Sequence, residues 1–193
     1  MPILEFNVSW MLFNVMLALV AVLLGYFTLR ANNIVFRLLF GFLWLLFLPN
    51  TIYLFTDLQH VIFQWFKVLL WQQGVLVLQY TLLQIAGVLT FILSFRPFER
   101  FADSYLAKRH HLPAIIVFNF LIAFGMVLGR VERINSWDVF FRPAAVIQSA
   151  IHVSTSLELL GLTFLFGLLC NIVYFLFRDW VMKQAQKFGK QVS

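Results

Sequence analysis

The chain has 193 residues, 62% of them apolar and only 11% charged, with a formal charge of +6. A soluble domain of this length has too much surface for its volume to hide so many apolar side chains, which excludes that class. The basic balance, with a pI near 9.8, would suggest nucleic acid in a soluble protein; here Lys and Arg read as topology signals and lipid head-group contacts, and no nucleic-acid partner is expected.

Five segments are apolar over about 20 residues, the length that crosses a hydrocarbon core. They are roughly residues 8–29, 34–56, 74–95, 112–129 and 157–177. Hydrocarbon offers no partner to backbone N–H and C=O groups, so these spans must be helical. A barrel would show alternating polar residues, and the runs do not. The expected fold is all-α, an integral membrane helical bundle with about five transmembrane helices plus short interfacial helices, and residues 1–193 form a single transmembrane domain.

In chain order, residues 1–7 carry no Lys or Arg and so lack the basic start of a cleavable signal peptide. They read as a short outer tail before an uncleaved first helix. The second span runs into "FLPNTIYLFTDLQH", residues 47–60. Pro49 lies 12 residues beyond Arg37, or about 18 Å of helix, past the midplane. Pro49 has no N–H and crowds the carbonyl of Leu45. Asn50 brings two donors and an acceptor that can close the gap. A kink or unwound turn is therefore predicted there, with Asn50 inside the bundle. Asp57 and His60 share a face if the helix continues.

"VIFQWFKVLLWQQ" follows, an expected interfacial segment with Trp65 and Trp71 at head-group depth. Gln79 and Gln84 of the third span can bond to neighbouring helices. "RPFERFADSYLAKRHH" opens with Pro97 and reads as an amphipathic helix lying on the membrane surface. The fourth span contains Gly125 and Gly129, a spacing that suits close helix packing. It runs into "GRVERINSWDVFFRP", residues 129–143. "RPAAVIQSAIHVS" is too short to span, and His152 and Glu158 flank the start of the fifth span. The single cysteine, Cys170, allows no intrachain disulfide and behaves as a small hydrophobe inside an apolar run.

The alternate loops divide the 14 Lys and Arg residues ten against four. The positive-inside rule then places the N-terminus outside and the C-terminus in the cytoplasm of a multi-pass bacterial cytoplasmic-membrane protein. Three arginines in the fourth loop run against this count and read as functional rather than topogenic. With this topology both polar motifs meet at the extracytoplasmic mouth.

The candidate ligand-binding residues there are Asn50, Tyr53, Asp57, Arg130, Arg133, Asn135, Trp137 and Arg142. Guanidinium forks match phosphate oxygens, so an anionic lipid head group would suit the arginines. The catalytic candidates are Asp57, His60, Glu132 and Asp138, with Asp57 or Glu132 as general base. The same residues can instead form a salt-bridge and helix-cap network. Asp57, His60, Asp138, His152 and Glu158 have metal-ligand chemistry, but D-x-x-H arises often by chance and no zinc signature is present. No metal and no cofactor is expected. Shared depth and opposite sign predict that Asp57 contacts Arg130 or Arg133.

In these motifs the sequence resembles the uncharacterised bacterial multi-spanning membrane family catalogued as domain of unknown function 1361. The first motif is carried by Leu48, Pro49, Asn50, Tyr53, Thr56, Asp57, Leu58 and His60. The second is carried by Gly129, Arg130, Arg133, Asn135, Ser136, Trp137 and Asp138. The chain has Thr51-Ile52 where members often have Ala-Pro, so no rigid turn after Asn50 is implied. The resemblance implies a multi-spanning membrane protein and supplies no activity.

Two readings of function stand at this point. One is a binding or assembly component of the cell envelope that contacts membrane lipids and recognises an anionic head group or an envelope protein partner. The other is a membrane-embedded enzyme acting on an anionic lipid or a polyprenyl-phosphate-type substrate. Only one span has a clear Pro break and no internal repeat is visible, which weakens a transporter.

Overall fold

The computed structural model describes residues 2–192, and the side chains of residues 3–187. Among them there is no strand. Five helical stretches are long and apolar enough to cross a membrane: Ile3–Arg30, Ile34–Trp65, Leu70–Tyr105, Lys108–Arg130 and Leu157–Lys187. The protein is an all-α, multi-pass membrane protein. Its many exposed Leu, Phe and Ile side chains are its lipid contacts.

The first helix, α1, is Pro2–Arg30. It starts well before residue 8, so the residues expected to be a tail are helical. Pro2 suits a first turn, where its missing N–H has no partner to lose. Leu4, Asn7 and Met11 are buried. Asn33 then caps α2 (Ile34–Phe47) by accepting the Val35 N–H at 2.8 Å.

The predicted break in the second span is present. α2 stops at Phe47 and α3 (Pro49–Thr56) begins at the proline. Leu48 keeps helical angles (φ −55°, ψ −42°), so the path continues while the hydrogen-bond ladder is interrupted. Ser136 and the first turn of α3 take up three of its carbonyls. Ser136 Oγ donates to the Leu46 carbonyl (2.7 Å) and Asn50 Nδ2 to the Phe47 carbonyl (3.0 Å). Thr51 gives Leu48 its N–H (3.2 Å) and hydroxyl (2.7 Å). The repaired carbonyls are thus those of residues 46 to 48, just beyond the Leu45 position that proline geometry singles out.

α3 ends at Asp57, and a short α4 (Gln59–Trp65) follows. α5 (Leu70–Ser94) begins where Gln72 reaches back to the Leu69 N–H at 3.0 Å. Residues 61–73 are therefore not one interfacial helix but are shared between α4 and the start of α5. Gln84 of α5 donates to the Leu54 carbonyl at 2.6 Å, meeting one of the unpaired acceptors at the end of α3.

α6 (Arg96–Tyr105) departs from α5 at Phe95, next to Pro97. Trp44 Nε1 donates to the Ser94 carbonyl at this joint (2.7 Å). α6 is amphipathic; it buries Pro97 and Ala102 and stacks Phe98 on Phe118 with ring centroids 3.9 Å apart. A 3-10 turn (Lys108–His110) leads into α7 (His111–Arg130), then α8 (Asp138–Phe141), α9 (Pro143–Thr155) and α10 (Leu157–Val192).

The main core gathers Trp44, Leu48, Phe91, Phe95, Met126 and Tyr174 from α2, α5, α7 and α10. Lipid is as apolar as these side chains, so their packing gains dispersion contacts rather than hydrophobic free energy. That explains the close-approach glycines. A Cβ on Gly125 would press on Pro49, and one on Gly129 would overlap the Tyr53 hydroxyl. The G-x-x-x-G face of α7 thus receives the Pro49–Tyr53 face of α3.

Candidate functional site

The site grows from the end of α3. Asp57 caps this helix and is 1% exposed. A carboxylate so buried needs partners, and it has them on both oxygens. Oδ1 pairs with Arg130 at the end of α7, and Oδ2 accepts from Asn14 of α1 at 3.0 Å. Arg130 is further fixed by Thr56, whose hydroxyl accepts from Nε (2.9 Å) and from a terminal nitrogen (2.8 Å). Its guanidinium also lies 5.8 Å from the centre of the Tyr53 ring, a cation–π arrangement. Tyr53 in turn donates to the Gly125 carbonyl at 3.0 Å. The expected Asp57–arginine contact is present, and the arginine is Arg130.

The helix does not continue past Asp57, yet Asp57 and His60 both meet α1. Asp57 meets Asn14, and His60 sits edge-on to Trp10 with ring centroids 5.7 Å apart.

After α7 the chain turns sharply. Arg133 adopts a left-handed backbone (φ 55°), and the Ile134 N–H reaches back to the Leu128 carbonyl at 3.0 Å. Glycine is usual at such a helix exit because it has no Cβ to crowd the carbonyl. Asn135, Ser136 and Asp138 then close a compact turn. Asp138 Oδ2 accepts the Asn135 N–H at 2.7 Å, and Oδ1 accepts from Arg142 Nε at 3.0 Å. The Asn135 N–H first, and then Arg142, outweigh burial and hold the Asp138 carboxyl below its ordinary range. Ser136 leaves this turn to bond the Leu46 carbonyl and Asn50 Nδ2, the latter at 3.2 Å. The second motif is thereby tied into the break of the first.

Of the sequence candidates, Tyr53, Asp57 and Arg130 form one connected cluster, and Asn135, Asp138 and Arg142 form a second, to which Asn50 is tied through Ser136. Glu132 lies outside both and pairs with His152 of α9 at 2.9 Å. Arg133 and Trp137 are exposed. Among the described residues Arg133 has no side-chain hydrogen bond or ion pair. No group of three or more His, Cys, Asp or Glu side chains assembles among the described residues. The five carboxylates and imidazoles considered as ligands are therefore dispersed. Two cavities, of about 310 and 1050 Å³, lie elsewhere, and neither is lined by any candidate residue.

The sequence reading missed Asn14, Thr56 and Ser136 as partners, and a further amide network. Asn7 and Gln64 exchange two hydrogen bonds (2.7 and 3.0 Å), Trp10 donates to Asn7 (3.0 Å), and Gln79 donates to the Leu4 carbonyl (3.1 Å). A signal was available: Asn7, Trp10 and Asn14 recur at helical spacing on one face, and an amide in hydrocarbon requires a partner.

No curated protein and no solved structure matches the chain. A family model described as "Protein of unknown function (DUF1361)" matches residues 13–173, and the chain belongs to that family.

Proposed function

We propose that the chain is a binding or assembly component of the bacterial cell envelope, formed as one transmembrane domain. It sits in the cytoplasmic membrane with its N-terminus outside and its C-terminus in the cytoplasm. The two-motif end is its extracytoplasmic face, and the loop bearing Arg133, Trp137 and Arg142 recognises the partner there.

The observation that carries this reading is the complete pairing of Asp57 with Arg130 and Asn14. A general base must be free to take a proton. Asp57 is instead engaged on both oxygens and ties α1, α3 and α7 together, as a scaffold requires. What the cluster leaves available is the exposed loop, with a free guanidinium at Arg133 and the Trp137 ring 38% exposed. Arginine and tryptophan are the side chains that carry most binding energy at interfaces. The ten-to-four division of basic residues supports the orientation.

The test uses a photo-crosslinking side chain at Phe141, which is 79% exposed, in living cells. A defined crosslinked protein or lipid, lost in R133A/W137A but retained in R109A, is the expected result. An unchanged crosslinking pattern in R133A/W137A would end the reading. Orientation is tested separately with a cysteine at Phe141 in a Cys170→Ser background. A membrane-impermeant maleimide should label it in intact cells; labelling only after permeabilisation would reverse the topology.

A further inference from the structure

A cleft of about 1050 Å³ opens from the opposite end of the bundle, between the end of α1, α2 from Arg37 to Leu45, and α6. Along α1, Arg30 lies 16 residues past Asn14, about 24 Å of helix. Along α7, Phe118 lies 12 residues before Arg130, about 18 Å. The arginine end of the cleft is therefore remote from the Asp57–Arg130 pair, while its other end, at Phe42 and Leu45, reaches toward the break that Ser136 closes. Its size is at the top of the range of roughly 300–1,000 Å³ seen for ligand sites.

Its walls are apolar, with Leu29, Leu38, Phe42, Leu45 and Phe98 along them and the buried Trp44 and Phe118 among its lining. Four arginines also line it: Arg30, Arg37, Arg96 and Arg100. No carboxylate does, among the described residues. α6 carries two acids, and both are directed elsewhere. Glu99 accepts from Tyr174 (2.6 Å) and Arg178 (2.9 Å), and Asp103 faces His111 at 3.5 Å. These residues line the smaller cavity instead. Only Arg96 grazes an acid, at 4.0 Å from Glu99. Arg37 holds the Ala31 carbonyl (3.2 and 2.9 Å), and Arg30 lies 5.1 Å from the centre of the Tyr26 ring. Arg100 is exposed and bonds nothing among the described residues.

Like charges gathered at one concave apolar site attract an anion. A free anion would leave the long apolar wall unused, and a zwitterionic lipid would leave the charge unbalanced. Three guanidiniums without an acid match a head group with two charges and several oxygens better than one with a single charge. We propose that this cleft binds one membrane lipid bearing a phosphomonoester, with its hydrocarbon chain along the apolar wall and its phosphate among Arg30, Arg37 and Arg100.

Native mass spectrometry of the whole chain in mild detergent tests this with four probes: dioleoyl phosphatidic acid, dioleoyl phosphatidylglycerol, dioleoyl phosphatidylcholine and inorganic phosphate. One phosphatidic acid per chain should be retained, with a preference of about tenfold or more over phosphatidylglycerol. Inorganic phosphate should not displace it. R30Q/R100Q should weaken retention about tenfold or more, whereas R109Q, next to α6 but outside the cleft, should not. Gly41→Leu should also weaken it with every charge intact, because Gly41 lines the cleft. Equal retention of the two anionic lipids, displacement by inorganic phosphate, an equal loss in R109Q, or an unaffected Gly41→Leu would each overturn the proposal. Heat unfolding confirms that each variant is folded. The comparison of lipids on the unmodified chain decides the matter alone if one is not.

Discussion

The two ends of this bundle treat charge in opposite ways. At one end Asp57, Arg130, Asp138 and Arg142 are paired, and Asn14, Thr56, Asn135 and Ser136 take up much of the remaining hydrogen-bonding capacity. At the other, four arginines surround an apolar cleft that no acid among the described residues lines. Buried charge is tolerable only when paired, so the closed end is a structural joint. Charge left without a partner at a concave surface is available to something outside the chain.

The largest expected effect attacks the joint. Arg130→Gln strands a carboxylate that is 1% exposed, and Asp57→Ala strands a guanidinium that is 29% exposed. Each should cost about 3–5 kcal/mol in heat or denaturant unfolding. The double variant should cost less than the sum, and strict additivity would remove the distinction between the two ends.

Next is Gly129→Ala, whose new methyl would overlap the Tyr53 hydroxyl. Overpacking of this kind costs about 1–3 kcal/mol. Part of the loss should return in a Tyr53→Phe background, as read from unfolding temperatures.

The closed end also contains one strained position, where the sign reverses. Arg133→Gly relieves a left-handed backbone at φ 55° and should stabilise the protein by about 1 kcal/mol. The same substitution should weaken partner crosslinking, separating stability from binding.

At the open end Arg100→Gln should change stability by no more than about 0.5 kcal/mol, as at an ordinary surface position. A loss comparable to that of Arg130→Gln would show that the arginines of the cleft are structural too.

The smallest effect is confined to acid. Asp138 titrates below its ordinary range in the folded chain. Its contribution is therefore complete above the unfolded value, about 3.9, and is lost as pH falls through the folded one. Hydrogen exchange at the Asn135 amide should be protected alike from neutral pH down to about 4 and lose protection below it. Asp138→Asn should remove that dependence.

The spans were legible because an apolar run of membrane length has few alternatives. The Asp57–Arg130 contact was legible from depth and sign together. Asn14 was not, because its spacing from Asn7 and Trp10 marks a shared polar face without saying which element that face meets. The helical start at Pro2 escaped because Glu5 and Asn7 dilute the apolar run, although Asn7 is itself buried and bonded to Gln64. The cleft escaped for a different reason. Arg30 and Arg37 adjoin one turn, Arg96 and Arg100 belong to α6, and counted by loop all four are topology signals. Only the packing of α6 beside the end of α1 gathers them.

The joint also has a history in time. Translation delivers Asp57 with Asn14 already made, 43 residues earlier, but Arg130 follows 73 residues later. At about 5–20 residues per second that interval is about 4–15 s. The hydroxyl that mends the break in α2 comes later still, 90 residues after the carbonyl it serves. Until then the nascent chain holds an acid with only an amide for company and a helix with an open acceptor. Both are costly among lipid tails. Insertion of α7 is thus the step that closes the Asp57 joint, and it precedes α10, whose Cys170, Val173 and Tyr174 complete the core.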